Sequence, residues 1–264
     1  MTFLSTLAGI LGAIALFVYA ITTNTDNYLM FLSPSSVAMV FGGTAAATII
    51  SYSMKDFIVA TVSLFHTFSN EKATHANMKA DVKRFVQWSQ EFRQGGLAAI
   101  VATLTDAEKK NPFLMHCLEL IGAGYSPKDF KYLVAGRIEA DFTRSTQGAK
   151  VLHTMAGYAP AFGMAGTIIG LIIMLDNMQG DLTALGKGLA LALITTLYGV
   201  LLAQLVFRPA AVHIFKKQEG EFFRHQVWCQ GFIYILEKQD SLTIQDRMNA
   251  LLNPKYYYDF SQDS

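Results

Sequence analysis

Four long stretches of uncharged, mostly apolar residues alternate with charged segments along this chain. They cover residues 3–21, 34–54, 154–175 and 188–207. A helix needs about 20 apolar residues to cross the hydrocarbon core of a bilayer, so each stretch has the length of a transmembrane helix. The pattern therefore predicts an all-α, polytopic membrane protein with four transmembrane helices and a helical cytoplasmic domain.

The basic residues lie almost entirely on one side of these predicted spans. Of the 21 Lys and Arg residues, 13 fall in 55–150 and seven in 208–264, whereas 22–36 has none and 176–187 has only Lys187. Because basic segments stay on the cytoplasmic side, we expect both termini and the long central segment in the cytoplasm. The first stretch lacks the basic start and cleavage site of a secretory signal, which favours a retained span.

The domain organisation follows from this alternation. We assign a first transmembrane pair to 1–54, a helical cytoplasmic domain to 55–152, a second transmembrane pair to 153–209 and a cytoplasmic helical tail to 210–264. Within the polar parts, "SPKD" at 126–129 predicts a helix start, since it offers a serine cap, a proline and an acid in the first turn. "TIQD" at 243–246 repeats the capping pattern and predicts a second start there.

Composition excludes several classes of protein. The net charge of +1 lacks the basic excess of a nucleic-acid binder. Cys117 and Cys229 are the only cysteines, and the six histidines are scattered without metal-ligand spacing, so we expect no zinc site and no disulfide framework. We expect no cofactor and no enzymatic activity.

Glycines and hydroxyls distinguish the third and fourth stretches. Gly163, Gly166 and Gly170 have the spacing that lets helices pack closely, and they lack the following Lys-Ser/Thr of a phosphate loop. The polar side chains there are mainly hydroxyls, and none of the four stretches contains Asp, Glu, Lys or Arg. Two interpretations stay open: the threonines bond to carbonyls of their own helix, or they line an ion path whose carboxylate comes from another chain.

Three long motifs carry a resemblance to a known family. "APAFGMAGTIIGLIIMLDNM" at 159–178, "LALALITTLYGVLLAQLVFRP" at 189–209 and "LSPSSVAMVFGGTAAATIISYSMKDF" at 32–57 resemble the third, fourth and second transmembrane helices of the flagellar motor stator subunits MotA and PomA. The chain is identified on this basis as a member of that family, within the MotA/TolQ/ExbB channel superfamily.

The resemblance implies a machine of several chains in the bacterial inner membrane. Five copies would form a ring around a dimer of a single-span MotB or PomB partner, whose transmembrane aspartate supplies the missing charge. Flow of Na⁺ or H⁺ would turn the ring, and the cytoplasmic helices would push on the rotor protein FliG.

The same resemblance assigns residues inside the membrane. Thr167, Thr195 and Thr196 match the ion path, and threonine at 167 is more similar to sodium-driven than to proton-driven members. Pro160 and Pro209 match prolines at the cytoplasmic ends of the third and fourth helices, where Pro209 would bend the chain into the tail. Lys187 departs from the family, which often has proline there.

The rotor contact is assigned to basic residues of the cytoplasmic domain. Arg93, in "FRQGGLAAIV" at 92–101, matches a basic residue of the family, whereas Val101 replaces a common glutamate. We therefore expect a different charge pattern, built from Arg93 with Lys79, Lys83 and Arg84.

Two other functions fit parts of the sequence. A TolQ/ExbB-type energiser of envelope processes also surrounds a single-span partner, but usually has three spans with only one before its cytoplasmic domain. A non-conducting membrane scaffold would use the threonines for packing alone.

Overall fold

The computed structural model describes residues 2–67, 74–176 and 182–259, and no strand occurs among them. This confirms the predicted all-α fold. The chain forms two compact units, which we name the membrane unit, Met1–Glu71 with Thr146–Lys216, and the polar unit, Lys72–Ser145 with Lys217–Ser264. The predicted four-part division stays a prediction.

The described residues form twelve α-helices together with short 3₁₀ and π segments. In chain order the α-helices are α1 (Thr2–Thr22), α2 (Pro34–Val37), α3 (Gly43–Ser51), α4 (Met54–Thr67), α5 (Thr74–Ala102), α6 (Asp106–Lys109), α7 (Pro112–Gly122), α8 (Pro127–Ser145), α9 (Gln147–Asp176), α10 (Leu182–Leu201), α11 (Arg208–Leu236) and α12 (Ser241–Asn249). Turns of 3₁₀ helix cover Tyr28–Phe31 and Pro254–Tyr256, and π-helical segments cover Ala38–Gly42 and Leu202–Phe207.

Three described helical segments are long and apolar enough to cross a membrane. They lie within Tyr28–Ser51, Pro127–Asp176 and Leu185–Leu236, and they contain most or all of the predicted second, third and fourth spans. The first predicted span falls on α1, whose opening residues have side chains outside the described set. The total of four spans therefore stays a prediction.

The outer face of α9 is apolar and uncovered within this chain. Met164, Ile168, Ile172 and Leu175 recur at helical spacing, and each exposes 58–60% of its surface. A water-facing helix does not normally present a continuous apolar stripe of this kind. The stripe is suited to lipid or to another apolar chain.

Helices α9 and α10 pack closely through glycines, as the spacing of Gly163, Gly166 and Gly170 predicts. A methyl group added at Gly170 would lie 2.8 Å from the backbone nitrogen of Ala192. At Gly199 it would lie 2.5 Å from the carbonyl oxygen of Ala159. The two backbones approach so closely that no larger residue fits without a shift.

Helix α3 is attached to α9 by ring packing and by hydroxyl pairs. The Phe162 ring occupies the space where a side chain at Gly43 would lie. The Ser51 and Tyr158 hydroxyls are 2.7 Å apart, and those of Tyr52 and Thr154 are 2.9 Å apart. These contacts fix the second and third predicted spans against each other.

The polar unit is built around a cluster of buried aromatic rings. Phe85 on α5 makes edge contacts with Trp88, Trp228 and Phe232, at centroid distances of 5.0, 6.2 and 4.8 Å. Such edge-to-face geometry is favourable for aromatic side chains. The cluster joins α5 to the later part of α11.

Local capping chemistry explains where the helices of the polar unit start. Ser126 accepts a hydrogen bond from the Asp129 amide at 3.2 Å, so the predicted start of α8 is confirmed. The predicted start at 243–246 is wrong. Helix α12 begins at Ser241, because the Asp240 carboxylate caps it by accepting from the Thr243 amide at 3.0 Å.

Helix α5 contains a break at Gly96. Its backbone angles there, φ 64° and ψ −154°, are accessible to glycine but strained for other residues. The break separates the segment that carries Arg93 from the short helical end that carries Val101. It coincides with the glycine pair of the motif at 92–101.

Candidate functional site

Two of the three predicted ion-path threonines face each other between α9 and α10. The hydroxyl oxygens of Thr167 and Thr196 are in direct hydrogen-bond contact. Thr167 Oγ1 also lies 3.0 Å from the Ala192 carbonyl oxygen and 3.2 Å from that of Gly163. Thr196 Oγ1 lies 3.3 Å from the same Gly163 oxygen.

We name these four oxygen atoms the hydroxyl seam: the Thr167 and Thr196 hydroxyls with the Gly163 and Ala192 carbonyls. The two hydroxyls have one proton each, so at any moment they donate two hydrogen bonds and leave oxygen lone pairs free. Both side chains are half-buried within this chain. The free lone pairs of the seam can therefore accept a cation or a water, but the seam brings no charge of its own.

Thr195 has a different environment. It is 1% exposed, and its hydroxyl lies 2.8 Å from the Ala192 oxygen and 3.0 Å from the Leu191 oxygen of its own helix. A methyl group at Gly166 would lie 2.7 Å from the Thr195 side chain, so the threonine fills that notch. Its direct role in the ion path stays a prediction, and its observed contacts are those of a packing residue.

Pro160 lies within continuous helix α9, not at its start. Proline provides no amide, so the Ala156 carbonyl lacks its usual helical donor. The turn at Pro160 lies against Gly199 of α10, where an added methyl group would be 3.1 Å from the proline Cα. Helices α9 and α10 therefore approach each other most closely next to Pro160, where α9 lacks one backbone hydrogen bond.

Pro209 does not end the helix. The chain passes from α10 through the π-helical segment Leu202–Phe207 directly into α11, in which Pro209 is the second residue. A π segment carries an extra residue in one turn, and such segments accompany irregular backbone hydrogen bonding. The predicted coupling roles of Pro160 and Pro209 stay predictions.

Tyr198 makes a long-range contact that the sequence does not reveal. Its hydroxyl donates to the Phe31 carbonyl and accepts from the Ser33 amide at 3.5 Å. The structure thus engages this hydroxyl within its own chain. The partners lie more than 160 residues away, so no local pattern could identify them.

Arg84, one of the four predicted rotor-contact residues, is engaged inside the polar unit. Its guanidinium binds both carboxylate oxygens of Glu108, at 2.8 and 3.1 Å, and donates to the Thr103 carbonyl at 2.6 Å. It also lies 5.1 Å from the Trp88 ring centroid. Burial alone would raise the pKa of Glu108, but hydrogen bonds from Arg84 and Thr105 outweigh it and hold that pKa below its usual range.

The other three basic residues, Lys79, Lys83 and Arg93, are exposed on α5. Arg93 donates to the Ser241 hydroxyl at 3.0 Å, and the Lys83 ammonium lies 5.9 Å from the centre of the Tyr258 ring. Val101 is also exposed, at 42%. The structure thus presents Lys79, Lys83 and Arg93 to solvent, while Arg84 supports the fold.

The rest of the described chain offers no metal centre. No group of three or more His, Cys, Asp or Glu side chains comes together within 2–67, 74–176 and 182–259 in a way that could hold a metal ion. Cys117 and Cys229 are both buried and unpaired with each other. Lys187, the departure from the family pattern, is exposed near the start of α10.

Comparison with known proteins identifies close relatives along nearly the whole chain. The model of the MotA/TolQ/ExbB proton channel family matches residues 106–225. The uncharacterized protein YtxD of Bacillus subtilis is 32% identical over 247 residues, which cover 93% of this chain and 89% of the relative. The chemotaxis protein PomA of Vibrio alginolyticus is 28% identical over 250 residues, covering 95% of each.

Solved structures agree with these relatives. The flagellar MotAB stator complex from Bacillus subtilis contains a chain with a TM-score of 0.82 and 25% identity, covering 94% of this chain and 96% of that one. A chain of C. jejuni MotAB has the same TM-score at 19% identity, covering 95% and 96%. The likeness includes both the membrane-spanning helices and the helices of the polar unit.

Proposed function

The chain belongs to the MotA/PomA family of stator subunits, within the MotA/TolQ/ExbB proton channel family, and we propose that it is the ring-forming stator subunit of a flagellar motor. In this proposal, five copies surround a dimer of a MotB/PomB-type single-span partner in the bacterial inner membrane, with both termini in the cytoplasm. Ion flow through the complex drives the ring against the rotor protein FliG. The family and the membrane-spanning helices support a multi-pass, inner-membrane location.

The hydroxyl seam is the observation that carries the proposal. It collects four oxygen atoms between α9 and α10, yet the stretches 154–175 and 188–207 contain no Asp, Glu, Lys, Arg or His. A cation at this depth requires a counter-charge, because an unpaired ion in the bilayer core is costly. The transmembrane aspartate of a partner would complete the site.

The driving force is adequate for a rotary step of a packed helical ring. One elementary charge that crosses 100 mV releases about 2.3 kcal/mol. Burial of one large side chain contributes a similar free energy, roughly 1.5–3 kcal/mol. The glycine-packed α9–α10 pair has many such contacts, so the energy of one ion is too small to separate the two helices. The ring therefore moves as a rigid body, with Pro160 and Pro209 as the coupling positions.

We favour Na⁺ over H⁺ as the transported ion. Hydroxyl and carbonyl oxygens are suitable ligands for a hard cation, whereas a proton relay needs groups that exchange protons. The seam has two hydroxyls and two carbonyls and, within 154–175 and 188–207, no side chain that titrates near neutral pH. Thr167 is central, since it contacts the other three oxygens.

A motility experiment tests this function. The chain and its partner are expressed in a strain that lacks its own stators, and swimming speed is measured against external sodium. Thr167→Ala removes one hydroxyl from the seam, so we expect the sodium concentration for half-maximal speed to rise by about tenfold, as for a lost interaction of roughly 1.4 kcal/mol. Thr154→Ala is the matched control, because its hydroxyl lies on the same helix but bonds to Tyr52.

Two results would contradict the proposal. If the wild-type pair restores no motility, the chain is not a flagellar stator, and an envelope energiser of the TolQ/ExbB type becomes the better assignment. If motility is restored but its sodium dependence is the same in Thr167→Ala and wild type, the ligand role of Thr167 is wrong. The extent of the match to PomA favours the flagellar assignment.

A further inference from the structure

The second predicted span bridges the α9–α10 pair. Its first half, α2, packs against α10, whereas its second half, α3, packs against α9. The π-helical segment Ala38–Gly42 lies between the two halves and contacts both α9 and α10. The span therefore touches both helices whose threonines form the hydroxyl seam.

One face of this bridging span is buried along its whole length. Four positions spaced by four residues are at most 1% exposed: Ser36, Val40, Thr44 and Thr48. In a regular α-helix this spacing overshoots a full turn by about 40° per step, so the buried face would drift by about 120° from first to last. The π-helical segment adds about one residue to a turn and offsets most of that drift. One continuous face can therefore contact α10 at one end and α9 at the other.

Tyr198 holds the first half of the span on α10. Its hydroxyl donates to the Phe31 carbonyl and accepts from the Ser33 amide at 3.5 Å, so one side chain makes both hydrogen bonds. The partners are backbone groups that precede α2, which begins at Pro34. Because Tyr198 lies only two residues after Thr196, the same turn of α10 carries this contact and one hydroxyl of the seam.

Several contacts hold the second half of the span on α9. They are the Phe162 ring packed at Gly43 and the hydroxyl pairs Ser51–Tyr158 at 2.7 Å and Tyr52–Thr154 at 2.9 Å. Loss of one such contact leaves the other two, so this end does not depend on a single side chain. Thr154→Ala therefore remains a suitable control for the seam.

We propose that residues 31–52, which we name the clamp, set the offset of α10 along α9, and that Tyr198 is a positioning residue for the hydroxyl seam. The glycine contacts keep the two helices close, whereas the clamp holds each helix at a fixed point along its axis. The contact between the Thr167 and Thr196 hydroxyls needs that offset, because hydrogen bonds weaken steeply away from their preferred geometry. The inference rests on the proposed function where it concerns the transported ion.

Cross-linking measures the offset directly and without motility. With Thr167→Cys and Thr196→Cys in one chain, the two thiols replace hydroxyls that are in direct contact, so copper phenanthroline should join them rapidly. Membranes that contain the chain and its partner are oxidised, and the remaining thiols are counted with a maleimide after denaturation. When Tyr198→Phe is added, we expect the cross-linking rate to fall about two- to tenfold, as for one lost hydrogen bond.

Two controls accompany the cross-link. Chains with only one of the two cysteine changes give the background from Cys117 and Cys229, which are buried. Tyr19→Phe removes a tyrosine hydroxyl from α1 at a position that is 69% exposed, and it should leave the cross-linking rate unchanged. Thermal unfolding of the purified chain shows whether Tyr198→Phe remains folded.

A second variant tests the other end of the clamp. Ser51→Ala combined with Tyr52→Phe removes both hydroxyl pairs with α9 and keeps the packing of Phe162. We expect a slower cross-link with this variant as well. If Tyr198→Phe proves unfolded, the rate measured in this second variant decides the inference.

The sodium dependence of swimming separates positioning from a loss of folded protein. A misplaced seam binds the ion more weakly, so Tyr198→Phe should raise the sodium concentration for half-maximal speed about two- to tenfold and leave the speed at saturating sodium near wild type. Fewer folded subunits would lower the saturating speed without that shift. Tyr198→Phe combined with Thr167→Ala should resemble Thr167→Ala alone, because the hydroxyl pair to be positioned is then already lost.

Failure of the clamp and failure of the proposed function are distinguishable. A wild-type cross-linking rate or an unchanged half-maximal sodium concentration in folded Tyr198→Phe would overturn the positioning role. A double variant whose shift equals the product of the two single shifts would overturn it too, and in each case the proposed function stands. Absence of motility with the wild-type chain and its partner would overturn the proposed function, and the cross-link would still decide the offset.

Discussion

At the scale of single residues, Gly199 is the position where the α9–α10 pair has the least room. An added methyl group would lie 2.5 Å from the Ala159 carbonyl oxygen, a backbone atom that cannot rotate away. Gly199→Ala must therefore separate the two helices, at a cost on the order of 2 kcal/mol, as for other overpacked sites. We expect a lower thermal midpoint for the purified protein in detergent.

Gly186 provides the matched control on the same helix. Nothing lies within 4 Å of a methyl group at that position. Alanine is also the better helix former by about 1 kcal/mol, so Gly186→Ala should leave the midpoint unchanged or raise it. A midpoint in Gly199→Ala equal to that of Gly186→Ala would mean that the close approach does not stabilise the pair.

The seam shows why residue roles are only partly predictable from sequence. Successive residues on a helix point about 100° apart, so Thr195 and Thr196 cannot share one face. The family resemblance assigns both threonines to the ion path, and the spacing of the glycines in α9 correctly predicts that α9 and α10 pack closely. Only the tertiary pairing decides that Thr196 meets Thr167 while Thr195 fills the notch at Gly166.

At the scale of elements, the link between α5 and α6 gives a pH dependence. Glu108 closes the capping box of α6 and pairs with Arg84 of α5, and its pKa lies below the ordinary value of 4.5. A carboxyl group with a lowered pKa in the folded state stabilises the protein above its unfolded pKa. That contribution is lost as the pH falls through the lower, folded-state pKa.

Glu108→Gln should accordingly be less stable than wild type near pH 7, and the difference should shrink as the pH falls below about 4.5. Tryptophan fluorescence follows the relevant unfolding, because Trp88 and Trp228 are the only tryptophans and both lie in the core of the polar unit. The exposed Glu119→Gln serves as control. If the difference in the free energy of unfolding between wild type and Glu108→Gln did not change with pH, the charge of Glu108 would make no contribution to stability.

The helix starts illustrate the limits of local prediction for elements. The start of α8 follows from its own four residues, and it is confirmed. Asp240 and Thr243 are both residue types that cap helices well, so the sequence offers two possible N-caps for α12, three residues apart. The structure uses Asp240, the earlier of the two. With this start, Ile244 and Met248 are buried and Ser241 lies beside Ser89, and these contacts cannot be read from the few residues around the helix start.

At the scale of the whole molecule, the distribution of charge predicts that this chain does not conduct by itself. The four apolar stretches contain no Asp, Glu, Lys or Arg, and the hydroxyl seam is neutral. A cation that entered the bilayer core beside neutral oxygens alone would meet a large barrier. Liposomes with the purified chain should therefore show no sodium or proton flux above that of empty liposomes.

Under the proposed function, addition of the single-span partner should create the flux, because the intramembrane carboxylate proposed for that partner would lower the barrier. The partner with its transmembrane aspartate changed to asparagine is the control, since it keeps the shape and removes the charge. We expect background flux from that complex under an applied potential. Cation flux through the chain alone, or undiminished flux with the asparagine variant, would show that the counter-charge does not come from the partner.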